Sequence, residues 1–206
     1  SKLFLNKVQY SANRMNVLLD DLLTFSRISN SDPDFCLVDT RVLLREVLND
    51  LSILIDEKSA VVSYDIDEGS NFIYGDKSQI VRVLENLITN SLKYSKDEIA
   101  PIIKIEIKKH DNYIGISVSD NGIGFDMKFK DKIFEQFERL HGSNKFSGTG
   151  MGLAIVKKIA DIHKGQINLK SEPDKGSTFE ILLPVKQKEE NKNNYPSKRE
   201  LIELAQ

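Results

Sequence analysis

Cysteine is almost missing from this chain of 206 residues: Cys36 stands alone, so no disulfide can form within it, and a reducing compartment, the cytoplasm, is expected. With one cysteine and three histidines, no ligand set has the spacing of a usual zinc site. No apolar run reaches bilayer-spanning length before a charge interrupts it, so neither a transmembrane helix nor membrane contact is expected. The start lacks the basic, apolar-cored pattern of a signal peptide. A surplus of one charge is lacking too. Lys and Arg number 29 against 31 Asp and Glu, a net charge of −2, and nothing points to nucleic acid as a partner. What is present is a hydrophobic fraction of 40%, enough for a core, in a length that suits one full domain with extra material or two small domains.

Residues 1–29 read as one long helix without glycine or proline. Phe4, Val8, Ser11, Met15, Leu18, Leu22 and Phe25 fall at alternating steps of four and three, a heptad seam that Ala12, Leu19 and Leu23 widen. Such a face needs a partner. That partner is either the core of the same domain or another helix of an intermolecular bundle, and the sustained seam favours the bundle. Asn30-Ser31-Asp32-Pro33-Asp34 breaks the helix, giving an expected linker over 30–37 and a main domain over 38–185.

Within that domain Phe35–Val38 reads as a strand. Asp39 or Thr40 caps an expected helix to about Lys58, with Leu43, Leu44, Val47, Leu48, Leu51 and Leu54 as its buried face. Val61–Ile66 and Phe72–Tyr74 read as short strands, Lys77–Tyr94 as a helix, and Ile102–Lys108 and Tyr113–Ser119 as a hairpin turning at His110-Asp111-Asn112. Ile133–Phe137 reads as a short helical segment, Gly152–His163 as a helix, and Gln166–Ser171 with Thr178–Leu183 as a last hairpin. The expected fold is α+β, a two-layer sandwich of a strand-rich sheet with helices over one face. Residues 186–206 are polar and charged, a linker in which Ser197–Glu200 resembles a capping box before a short helix.

Three motifs carry chemistry. Asn86, Asn90 and Lys93 share one helix face. That face is either a solvated stripe or the wall of a phosphate site, where an amide oxygen suits a hard cation and an ammonium suits phosphate. Asp120 ends a strand before Asn121-Gly122-Ile123-Gly124; alone it reads as a turn aspartate, in an apolar pocket as an acceptor for an exocyclic amine. Gly148-Thr149-Gly150-Met151-Gly152-Leu153 runs into a helix whose N-terminus suits phosphate.

In this order the motifs resemble the ATP-binding domain of sensor histidine kinases, in the GHKL superfamily. Glu85–Ser95 is similar to the family's N box, Asp120–Gly124 to its first glycine box, Ile133–Phe137 to its F box and Gly148–Leu153 to its second glycine box; Lys175–Phe179 fits as well. The resemblance covers about residues 38–185 and implies the Bergerat ATP-binding fold. It implies that Asn90 coordinates Mg²⁺ and that Asn86 and Lys93 contact phosphates, these three being the catalytic set. It implies that Tyr94 lines the pocket and that Asp120 reads the adenine amine, with Gly122, Ile123 and Gly124 beside it. It makes Phe125–Ser147 a lid with Arg139 and Lys145 as phosphate contacts, and adds Gly148, Thr149, Gly150, Met151, Gly152 and Leu153 to the ATP-binding set.

Hydrolases of the superfamily typically carry a glutamate four residues before the metal-binding asparagine. Here that position is Asn86, which cannot act as a general base, and Glu85 faces about a hundred degrees away around the helix. Transfer is therefore expected rather than hydrolysis. A GHKL-type ATPase and a nucleotide-binding dimerisation module without catalysis are the alternatives. Arg14-Met15 and Asp20–Arg27 resemble the second helix of the family's dimerisation and phosphotransfer domain. The phosphoacceptor histidine belongs to the first helix, expected outside this chain; His110, His141 and His163 do not lie on the bundle helix. The implied partners are a histidine-bearing helix of the same kinase, a response regulator receiver domain and a second copy through residues 1–29. The implied place is the cytoplasm or the cytoplasmic part of a membrane-bound sensor.

Overall fold

The computed structural model describes residues 2–140, 146 and 148–185. His141, Lys145 and the whole segment 186–206, with its capping-box pattern, lie outside the described residues.

Helix α1 runs from Lys2 to Asn30. Its apolar residues divide between two destinations. Phe25 and Ile28, at its C-terminal end, pack against the domain core. Val8, Met15, Leu19, Leu22 and Leu23 are left about half exposed or more. Among the described side chains, the seam thus serves the same domain at its C-terminal end and lies open at Val8, Met15 and Leu22.

Strand β1 (Phe35–Asp39) pairs antiparallel with β3 (Phe72–Asp76) in a two-stranded sheet of its own, from Phe35↔Asp76 to Asp39↔Phe72. Pairing therefore begins at Phe35, which shortens the expected linker over 30–37. The Asp39 carboxylate then accepts from the Arg41 and Val42 amides and caps α2 (Thr40–Asp50). The single helix expected to reach Lys58 is two. Leu51 closes α2, and α3 (Ser52–Glu57) starts anew. Ser52 Oγ donates to the Asn49 carbonyl at 2.7 Å, a local bond of the kind that competes with helix continuation. The break leaves Leu54 45% exposed, against its expected burial.

The main sheet holds β2 (Val61–Ile66), β4 (Ile102–His110), β5 (Tyr113–Asp120), β6 (Gln166–Glu172) and β7 (Gly176–Pro184) in the order β2-β4-β5-β7-β6. β2 and β4 are parallel and the other pairs antiparallel. Alternation sorts its two faces. Ile103, Ile105, Ile107, Ile116 and Ile181 are buried under α2, α4 (Lys77–Lys93) and α5 (Gly152–Ile162), among Leu43, Leu84, Leu87, Ile88 and Ile159. The other face carries the ion pairs of Glu106 with Lys104 and Lys108. This is the expected two-layer α+β sandwich. His110 is a strand residue paired with Tyr113, so the hairpin turn narrows to Asp111-Asn112, with Asp111 at φ 44°. The expected helical segment Ile133–Phe137 is only a 3₁₀ turn over Lys132–Phe134: Glu135 is already extended, and Phe137 takes φ 65°.

Candidate functional site

Asp120 closes β5 and turns its carboxylate toward α4 and the β6–β7 hairpin. Oδ1 accepts two backbone N–H groups, from Gly122 at 2.9 Å and Ser177 at 3.2 Å. Oδ2 has only a long bond from Ser91 Oγ at 3.4 Å. Burial pushes the Asp120 pKa up, opposed by these three bonds. One oxygen is thus fixed and saturated, and the other keeps acceptor capacity.

The carboxylate lines a partly open cavity. Ile123, Phe125, Ile133, Leu140, Leu153 and Phe179 form its apolar wall, and Asn90, Ser91, Tyr94, Asp120, Glu138, Arg139 and Ser177 supply its polar groups. An apolar cavity with a half-buried carboxylate at its side suits a heteroaromatic base carrying an amine.

Beyond the slot the α4 face continues. The Asp76 carboxylate caps α4 by accepting from the Gln79 amide at 3.1 Å, and its apolar side, Ile80 to Leu92, is buried. The opposite stripe therefore faces out with Asn86, Asn90 and Lys93. Asn86 Nδ2 donates to the Arg82 carbonyl at 2.8 Å, which leaves its Oδ1 toward α5. Lys93 Nζ lies 4.5 Å above the Tyr94 ring, and that ring meets Phe146 edge-on at 5.0 Å.

The glycine run packs directly on this stripe. Gly148 takes φ 128°, and a Cβ there would lie 2.6 Å from Lys93 Nζ. A Cβ on Gly152 would lie 2.5 Å from Asn86 Oδ1. The φ of Gly148 is one that other residues rarely adopt, which is why glycine stands there. α5 starts at this point with no side-chain cap, so its first N–H groups remain available to an anion.

The structure brings Asn90, Tyr94, Asp120, Ile123, Gly124, Arg139 and Leu153 around one cavity. It sets Asn86, Lys93, Gly148 and Gly152 side by side at its edge. Met151 is fully buried in the core, which leaves only its backbone for a ligand. Thr149 turns to α1, donating to Asp21. Arg139 donates to the Phe146 carbonyl, and its Nε is buried without a hydrogen-bond partner.

Ser91, Phe125, Ile133, Glu138, Leu140, Ser177 and Phe179 also line the cavity, though the motifs did not single them out as site residues. Ser177 and Phe179 sit inside the Lys175–Phe179 run, Ile133 sits inside the F box, and Ser91, Phe125, Glu138 and Leu140 adjoin Asn90, Gly124 and Arg139, so adjacency was a usable signal for all seven. Glu85 pairs with Arg82 at 3.2 Å and does not line the cavity. His163 is fully buried; its Nε2 accepts from the Asp76 amide at 3.1 Å and its Nδ1 meets the Ile159 carbonyl at 2.9 Å. His110 pairs with Glu180 at 3.2 Å. Among the described residues no group of three or more His, Cys, Asp or Glu could hold a metal ion.

The sequence profile of the family described as histidine kinase-, DNA gyrase B- and HSP90-like ATPase matches residues 75–187. The chain belongs to this family. Its α4 stripe, Asp120 and glycine run all fall inside the matched region. Among relatives, the family member is 36% identical over 186 residues to the phytochrome-like protein Cph1 of Synechocystis, covering 90% of this chain and 24% of that one. It is 31% identical over 196 residues to the sensor histidine kinase WalK of Bacillus subtilis, covering 91% of this chain and 31% of that one. The chain therefore spans about a quarter to a third of these relatives. Its fold is shared with full-length ShkA solved in complex with AMPPNP, at TM-score 0.74 and 24% identity, covering 89% of this chain and 38% of that one.

Proposed function

We propose that this member of the family is the catalytic, ATP-binding part of a two-component sensor histidine kinase, which delivers the γ-phosphoryl group to a histidine on another helix. The observation that carries the reading is the juxtaposition of Asp120 in an apolar slot with the Asn86/Asn90/Lys93 stripe and the glycine run. The residues fit ATP. The unsaturated Oδ2 of Asp120 meets the need of the adenine amine. The contact-distance packing of Gly148 and Gly152 on α4, with an uncapped helix start beside them, meets that of the phosphates. They fit Mg²⁺ in a limited way: with no acidic cluster among the described residues, Asn90 would supply one oxygen and the phosphates and water the rest. When bound, the ion neutralises charge on the phosphates. The protein's own part is positioning: Asp120 orients the base, Lys93 offsets phosphate charge, and the lid residue Arg139 lies at the cavity wall with an unused N–H.

Transfer is favoured over hydrolysis because Asn86, with its amide bonded back to Arg82, offers no base to water. Neither described histidine suits the acceptor role, since His163 is buried among core residues and His110 is held by Glu180 on the open face of the sheet. The acceptor is then a histidine-bearing helix of the same kinase, with a receiver domain of a response regulator as the next carrier and the cytoplasm as the setting. The exposed apolar stretch of α1 supports a homodimer.

Calorimetric titration with ATP, with and without Mg²⁺, tests the reading. Saturable one-site binding sharpened by the metal is expected, followed by phosphoryl transfer to an added histidine-bearing helical hairpin. Absence of binding, or steady phosphate release without an acceptor, would overturn it. Sedimentation of the chain with and without residues 1–29 tests the dimer; a monomer in both forms refutes it.

A further inference from the structure

The glycine run is tied to α1. Thr149 Oγ1 donates a hydrogen bond to the Asp21 carboxylate across 128 positions of sequence. The same oxygen accepts from the Met151 amide at 3.3 Å, at the residue that caps α5. Thr149 thereby links the bundle helix to the start of α5, whose N–H groups have no side-chain cap and whose dipole end favours negative charge. Gly148, on the other side of Thr149, abuts the Lys93 ammonium. A carboxylate of α1 is therefore set at the rim of a loop that faces both a lysine and an uncapped helix start.

We infer that Asp21 competes with the triphosphate for this loop, so that docking of α1 and binding of nucleotide oppose each other. The inference rests on the nucleotide reading of the cavity. Two effects act in the same direction. The Asp21 carboxylate repels a polyanion arriving at the rim. The bond to Thr149 also anchors the loop to α1, and a loop that must adjust around phosphates has to give that bond up. Coupling of this kind is reciprocal: whatever factor Asp21 takes from nucleotide affinity, nucleotide takes from the docking of α1. A movement of α1 would then reach the nucleotide site through this contact, and loading of the site would loosen α1. Asp20, exposed and one residue earlier, lies about a hundred degrees around the helix and serves as the control.

The test is calorimetry on the whole chain and on its Asp21→Ala and Asp20→Ala variants, with the Mg²⁺ complex of a non-hydrolysable ATP analogue. Amide exchange along Leu18–Ile28 is followed with and without the analogue. We expect Asp21→Ala to bind about fivefold tighter or more and Asp20→Ala to match the parent. We also expect the analogue to speed exchange along α1 in the parent chain. Equal affinity in the two variants, weaker binding by Asp21→Ala, or exchange slowed by the analogue would overturn the inference. The parent's exchange response is decisive even if a variant folds poorly. Failure of all three chains to bind removes the nucleotide reading instead.

Discussion

Replacing Asp120 by Asn alters one atom of the cavity, and the structure dictates which. The Oδ1 position must stay an acceptor because the Gly122 and Ser177 amides both donate to it. The new NH₂ group therefore falls at the Oδ2 position, facing the cavity, where the Ser91 hydroxyl can turn to accept from it. An adenine amine arriving there finds a donor instead of a charged acceptor. A hydrogen bond to a charged group is worth about 1.5–3 kcal/mol, which corresponds to about 10- to 150-fold weaker ATP binding. Inosine triphosphate, with a carbonyl in place of the amine, should show the reverse: excluded by the Asp120 carboxylate and accepted by the side-chain amide of the Asp120→Asn variant, so that the preference between the two nucleotides inverts. The fold should not suffer. Burial raises the Asp120 pKa above 3.8, so its contribution to stability is fully present below that value and lost as pH rises through the folded-state value. Asparagine removes this cost at neutral pH. By the same sign, ATP affinity of the parent should fall as pH drops into the range just above 3.8, and that of the variant should not. Calorimetry with both nucleotides, alongside thermal unfolding, checks all of this. Unchanged ATP affinity, or an unaltered bias against inosine, would refute the assignment of Asp120.

Three further outcomes are expected. Asn90→Ala should remove the Mg²⁺ dependence of ATP binding, measured as the ratio of dissociation constants with and without metal; a ratio equal to the parent's means Asn90 is no ligand. Gly176→Ala should destabilise the domain by about 2–5 kcal/mol from combined left-handed strain and overpacking, since φ is 100° there and a Cβ would lie 1.9 Å from the Asp120 carbonyl; urea unfolding gives the value. Burial lowers the His163 pKa below 6.5, so stability is held above 6.5 and lost as pH falls through the folded-state value. His163→Gln should flatten that part of the thermal midpoint's pH profile, and an unchanged slope would contradict it.

Much of this was legible because its causes are local. The periodicity of α4 gave both its buried side and the stripe of Asn86, Asn90 and Lys93, and alternation in β4 gave a half-buried strand. Motif order pointed to residues that line or border one cavity. Features with distant or competing causes were not legible. The split between α2 and α3 falls where the Ser52 hydroxyl bonds the Asn49 carbonyl, and the separate β1–β3 sheet depends on pairing across more than thirty residues of sequence. Adjacency to the motifs marked Ser91 and Ser177, but not their bonds to Asp120 from 29 and 57 positions away. Glu138 and Leu140 lie in a loop without periodicity, so only their adjacency to Arg139, and nothing in their spacing, marks them as cavity wall. Phe137, expected in a helical turn, has a left-handed backbone and is half exposed.

The packing of Gly176 against the Asp120 carbonyl has a consequence for assembly. β7 is the last described strand in sequence, yet it pairs with β5 in the middle of the sheet and brings the Ser177 amide to the carboxylate. During synthesis α4 and the β4–β5 hairpin emerge well before it and wait with an open slot. The site then closes in one late, long-range step once the β6–β7 hairpin has been released. Nascent chains that stop short of Gln166 would carry the N box, the F box and both glycine boxes, yet hold no base.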